Sequence, residues 1–98
     1  MTNFKIITKD LINIVNYTFG NNSPKLSEYY DGDQVLWFRK DNKLVYLDVY
    51  GKEDFYCSWD LLVDDSDIEF QTQGTEDKIN TERVLEIMSE FFEIERVK

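Results

Sequence analysis

The chain carries two hydrophobic rhythms. Between Thr8 and Gly20, the apolar residues Leu11, Ile12, Val15 and Phe19 recur at steps of one, three and four, which places them on one face of a helix. Thr8 can cap that helix and Gly20 can stop it, so the spacing predicts about three turns. GNNSPKLSE (20–28) is polar and bends around Pro24, the signature of a loop. After it the rhythm changes to a period of two.

In QVLWFRKDNKLVYLDVY (34–50), a two-residue turn at Asp41 and Asn42 pairs Phe38 with Val45 and Leu36 with Leu47 on one face. Val49 continues that face. The opposite face then holds Val35, Trp37, Arg39, Leu44, Tyr46, Asp48 and Tyr50. DFYCSWD (54–60) alternates Phe55, Cys57 and Trp59 against Asp54, Tyr56, Ser58 and Asp60. A two-residue loop at Lys52 and Glu53 alone would set Phe55 beside Tyr50 on the outer face. A three-residue loop of Gly51, Lys52 and Glu53 keeps it beside Val49, and this arrangement is expected, with a bulge at Gly51 or its neighbour. DIEFQTQ (67–73) reads as a last strand with Ile68, Phe70 and Thr72 inward, and Gly74 as the end of the sheet.

From about Asn80 to Val97 the helical period returns. Val84, Leu85, Ile87, Met88, Phe91, Phe92 and Ile94 cover about half the circumference, wider than the ~100° stripe that docks a helix on a sheet. Either the helix lies deep between the sheet and the first helix, or part of its arc meets a partner. The expected fold is α+β: an N-terminal helix, a four-stranded antiparallel meander and a C-terminal amphipathic helix, with the helices packed on one face of the sheet.

Ninety-eight residues suit a single domain over 1–98, since so short a chain supports one core. A hydrophobic content of 42% is enough to fold it. Cys57 is the one cysteine. It forms no intramolecular disulfide, alternates inward as a small core residue and suits a reducing compartment. Lys9 and Asp10 interrupt what would be the apolar region of a signal peptide, and no run approaches membrane-spanning length. A cytoplasmic protein is expected.

Charge adds a sharper feature. EDFYCSWDLLVDDSDIEFQTQGTED (53–77) contains nine acids and no Lys or Arg, whereas the remaining 11 acids and 11 basic residues cancel, so the formal charge of -9 belongs to this window. Antiparallel pairing of the last two strands is expected to set Asp60 near Asp67 and Ser58 near Glu69, with Asp64 and Asp65 in the connecting loop. Like charges facing across a sheet destabilise it. The same outer face carries Trp37, Tyr46, Asp48, Tyr50 and Tyr56. Large aromatics anchor interfaces, and charges set orientation and association rate. A binding face therefore competes with the plainer reading of a solvated acidic surface.

Specific chemistries fare worse. Asp65, Asp67, Glu69 and Glu76 match positions 1, 3, 5 and 12 of a calcium loop, but position 6 is Phe70 where Gly is needed. Metal-assisted or carboxylate catalysis by Asp64, Asp65 or Asp67 lacks its other parts: the chain has no His, no phosphate-binding glycine loop and no base beside a nucleophile. No cofactor, metal site or catalytic residue is expected. The negative charge disfavours direct binding to nucleic acid or an anionic membrane and favours a basic partner.

Carboxylates at alternate strand positions lie about two rises of ~3.3 Å apart, close to two ~3.4 Å steps of phosphates along a DNA strand. The expected function is a small acidic protein inhibitor, of the toxin-immunity or phage anti-defence (anti-CRISPR) type, that covers the nucleic-acid-binding surface of a nuclease or similar protein. Asp48, Asp60, Asp64, Asp65, Asp67 and Glu69 would supply charge, and Trp37, Tyr46, Tyr50 and Tyr56 contact area. The alternative is a chaperone or adaptor that holds a protein segment through the C-terminal helix or a sheet edge. In outline the element order is similar to that of secretion chaperones and toxin-immunity proteins, an analogy of architecture that carries no residues across.

Overall fold

The computed structural model describes residues 3–27, 34–63 and 69–97. Helix α1 spans Phe4–Phe19 and begins a turn earlier than the spacing predicts. Asn3 is its cap, accepting from the Ile6 amide at 3.3 Å. Thr8 instead sits buried within the helix, its hydroxyl donating back to the carbonyls of Phe4 and Lys5. The extra turn lets Phe4 and Ile7 pack on the core beside Leu11, Val15 and Phe19. Gly20 closes the helix with φ +59°, a conformation that glycine adopts without steric cost.

Among the described residues the sheet has five antiparallel strands in sequential order, one more than the sequence pattern predicts. β1 (Lys25–Leu26), β2 (Val35–Lys40), β3 (Lys43–Gly51), β4 (Asp54–Leu62) and β5 (Phe70–Ile79) form it. β1 is two exposed residues set opposite Arg39 and Phe38, too short to carry an alternating pattern. The central hairpins follow the expected register. Phe38 faces Val45 and Leu36 faces Leu47 across a tight turn in which Asp41 has φ +57°, and Val49 faces Phe55 with the register shifting between Val49 and Gly51.

Leu36, Phe38, Val45, Leu47, Val49, Phe55 and Cys57 thus share one face and are buried with side chains of both helices. Helix α2 (Thr81–Phe92) is capped by Asn80, which accepts from the Arg83 amide. It ends earlier than the periodicity suggests, because Glu93 turns left-handed at φ +56° and Ile94 folds back into the core. Ser89 secures that return by accepting from the Ile94 amide through its carbonyl at 3.1 Å and donating its hydroxyl to the Ile94 carbonyl at 2.7 Å. Val84, Leu85, Ile87, Met88, Phe92 and Ile94 are all buried. The wide apolar arc is therefore spent inside the fold, with only Phe91 at its margin under the Lys43 ammonium.

β5 departs most from expectation. Phe70, predicted to face inward, is 41% exposed and packs edge-on against Trp37 of the outer face, and Thr72 is exposed. Ile68 lies outside the described residues. Gly74 does not end the sheet: the strand continues to Ile79, and Gly74 faces Trp59. A β-carbon at Gly74 would lie 2.5 Å from Trp59 Cε2 and closer still to Cζ2, so the indole occupies the space that a side chain would need. Among the described residues no helix is long and apolar enough to cross a membrane.

Candidate functional site

Strand alternation and register build the outer face directly. Trp37 faces Tyr46, which faces Ser58; Asp48 faces Tyr56; Leu44 faces Asp60. Side chains on neighbouring strands stand within contact of each other, so the rings form a continuous edge-to-face series. Phe70 meets Trp37 with centroids 6.1 Å apart, Trp37 meets Tyr46 at 5.6 Å, and Tyr46 meets Tyr56 at 6.2 Å. These separations and near-perpendicular planes are the favoured geometry of aromatic pairs. The four rings wall a cleft of about 350 Å³ whose other described lining residues are Leu44, Ser58 and Asp60.

Asp60 lies at the base of this cleft and is 1% exposed. The Ser58 hydroxyl reaches its Oδ2 at 3.4 Å, a long hydrogen bond, and Oδ1 has no partner among the described residues. Two more buried polar atoms on the same face, Trp37 Nε1 and Asp48 Oδ1, lack partners among the described residues. Buried polar groups in folded proteins are nearly always hydrogen-bonded, and an unpaired one costs about 1–3 kcal/mol. All three atoms lie on the one sheet face that the helices leave uncovered.

The structure therefore gathers Trp37, Tyr46, Tyr56 and Asp60 around one cleft and sets Asp48 beside it. Tyr50 stands apart, 48% exposed near the β3–β4 turn. Its hydroxyl pKa is raised by partial burial, then by Asp48 and other nearby acids. Glu69 is exposed immediately before β5, its carbonyl accepting from the Val63 amide at 2.9 Å. Asp64, Asp65 and Asp67 lie outside the described residues. The expected facing pairs are corrected by the register: Asp60 faces Thr72 and Ser58 faces Thr75. Longer pairing carries β5 past Gly74 and shifts every partner. Phe70 and Leu44, which the sequence pattern did not mark as site residues, complete the cleft.

Part of the acidic window is used within the fold. Glu53 accepts from the Thr81 amide at 3.1 Å at the start of α2, where the helix dipole favours negative charge. Glu76, the twelfth position of the rejected calcium loop, is held in a two-point ion pair by Arg83, joining β5 to α2. Those hydrogen bonds hold the Glu76 carboxyl below the usual carboxylate range and raise the Arg83 guanidinium further. Cys57 faces the core with no exposure, and burial pushes its thiol pKa up to about 12. So protonated a thiol is a poor nucleophile. Among the described residues no three His, Cys, Asp or Glu side chains gather to hold a metal. Compared with protein-family models, curated proteins and solved structures, the chain matches none.

Proposed function

We propose that this chain is a small acidic, cytoplasmic inhibitor, of the immunity or phage anti-defence type, whose outer sheet face binds the basic nucleic-acid-binding surface of a partner protein. The observation that supports it is the pairing on that face of carboxylates with large aromatic rings, where three buried polar atoms await partners. Rings supply contact area at low entropic cost, and charges speed and orient encounter. Asp48 and Asp60 act inside or beside the cleft, while Asp64, Asp65, Asp67 and Glu69 add negative charge in the sequence that follows β4. The protein needs no catalytic group for this, and none is assigned. The adaptor alternative finds its support in β5, a ten-residue strand at the sheet edge, where a partner strand could add.

The test is capture from lysate of source cells, with and without phage infection, by tagged wild type and by a variant carrying Asp64→Asn, Asp65→Asn, Asp67→Asn and Glu69→Gln. Mass spectrometry at low and moderate salt is expected to find a nucleic-acid-handling protein with wild type only, fading as salt rises because screening shortens the reach of the field. Equal recovery of one partner by both proteins, indifferent to salt, would sink the reading.

A further inference from the structure

We propose that the cleft walled by Trp37, Tyr46, Tyr56 and Phe70 is a receptor for one cationic side chain, the guanidinium or ammonium of an Arg or Lys on the partner, with Asp60 as its counter-charge. The inference rests on the outer face being the binding surface and names the chemistry at its centre.

The aromatic and acidic members of the cleft lining suit a nitrogen cation. Aromatic faces carry negative quadrupole density, which attracts Arg and Lys head groups within ~6 Å. The base is a carboxylate, and none of the described lining residues is basic. Two cations of the neighbouring strands are engaged by other groups: Lys43 Nζ donates to the Phe91 carbonyl at 2.8 Å on the helix side of the sheet, and Arg39 Nε donates to the Asp41 carbonyl.

Asp60 separates this ligand from other classes. A buried carboxylate is stable when a cation or strong donors meet it, yet here Ser58 supplies one long bond and Oδ1 nothing. A phosphate or other anion would be repelled. An apolar ligand would seal the carboxylate away still unpaired. A calcium or magnesium ion needs several oxygen ligands, and the rings offer none beyond two phenols. A terminal guanidinium brings its own donors to Oδ1 and lays its plane against a ring. Trp37 Nε1, also buried and unpartnered, can donate to a carbonyl of the segment that carries the cation. The cleft volume of about 350 Å³ is at the lower end for small-ligand pockets and fits a single side chain.

The chain alone suffices for the test. The ¹⁵N-labelled protein is titrated with the N-acetyl methylamides of arginine, lysine and the neutral isostere citrulline, following the indole resonances of Trp37 and Trp59. Trp59 lies on the opposite face and serves as the internal control. Arginine or lysine is expected to move the Trp37 resonance saturably and leave Trp59 in place. Citrulline should bind at least about tenfold more weakly, and Asp60→Asn should weaken the cation by a similar factor, since each removes one half of a charge-assisted bond. Citrulline binding as well as arginine, Asp60→Asn binding as well as wild type, or an unmoved Trp37 would each overturn the proposal. The citrulline comparison uses wild type, so it holds even if the variant folds poorly. Because no partner is present, failure here removes the cation site alone, and failure of lysate capture removes only the partner reading.

Discussion

Gly74→Val is expected to destabilise the protein by about 3 kcal/mol, at the upper end for overpacking, lowering the melting temperature by roughly 12–24 °C for a domain of this size. The cause is local and steric. The Trp59 indole lies across Gly74, where even a β-carbon would be 2.5 Å from Cε2, and Trp59 itself packs on the core. Either the ring leaves the core or β5 lifts from β4. Thermal unfolding by circular dichroism measures the loss, and Gly74→Val combined with Trp59→Ala should cost less than the sum of the two single losses, because the two residues compete for one volume. A valine tolerated within about 0.5 kcal/mol, the range of an ordinary surface change, would contradict the packing described. The site lies close to the cleft in the strand pair: beyond an irregularity between Trp59 and Asp60, the same two strands pair Leu62 with Phe70, which meets Trp37.

The second large effect has the opposite sign. Asp60→Leu is expected to stabilise the fold by about 2 kcal/mol, roughly 10 °C in melting temperature, by removing a buried acceptor that has no partner. Its cross-strand neighbour Leu44 and its same-face neighbour Leu62 are already buried, so a leucine joins an apolar row. Proteins commonly hold residues at binding sites that cost stability, and Asp60 fits that pattern. Chemical denaturation of wild type and variant reads the difference. A loss of stability on substitution would mean that the carboxylate is part of the structural framework and would remove the reason to assign it a ligand.

These two positions also show what the sequence could and could not reveal. The helix and strand periods of Leu11 to Phe19 and of Val35 to Trp59 place the main elements, and the parity argument at Gly51 sets Phe55 beside Val49 as observed. Those inferences succeed because side-chain alternation is strict and one face is apolar. β1 escapes notice because its existence depends on pairing with Arg39 and Phe38, not on any pattern in two residues. Thr8 and Asn3 are equally able to cap a helix, and what decides between them is the packing of Phe4 and Ile7. Gly74 reads as a terminator in one dimension and proves to be a seat for Trp59 in three. Ile94 continues the helical period of α2 yet reaches the core by a left-handed turn at Glu93.

The candidate site was legible in its rings and charges and illegible in its depth. Alternation alone places Trp37, Tyr46, Tyr56 and Asp60 on one face. It cannot say that Asp60 is nearly inaccessible, because burial depends on what surrounds it in space, Phe70 of β5 included, and the spacing of β5 predicts Phe70 on the other face. Nor could spacing tell which acids the fold consumes. Glu53 and Glu76 serve α2, while Asp60 is left without a cation, which is the feature that directs attention outward.

The measurement that bears most directly on the account is competition between this chain and duplex DNA for the partner recovered from lysate, followed by fluorescence anisotropy of labelled DNA at fixed salt. If the outer face covers a nucleic-acid-binding surface, added protein will release the DNA completely, and the concentration required will rise in proportion to the DNA present. Stable co-binding, with anisotropy that stays high or increases as the protein saturates the complex, would place its contact elsewhere on the partner and contradict the account.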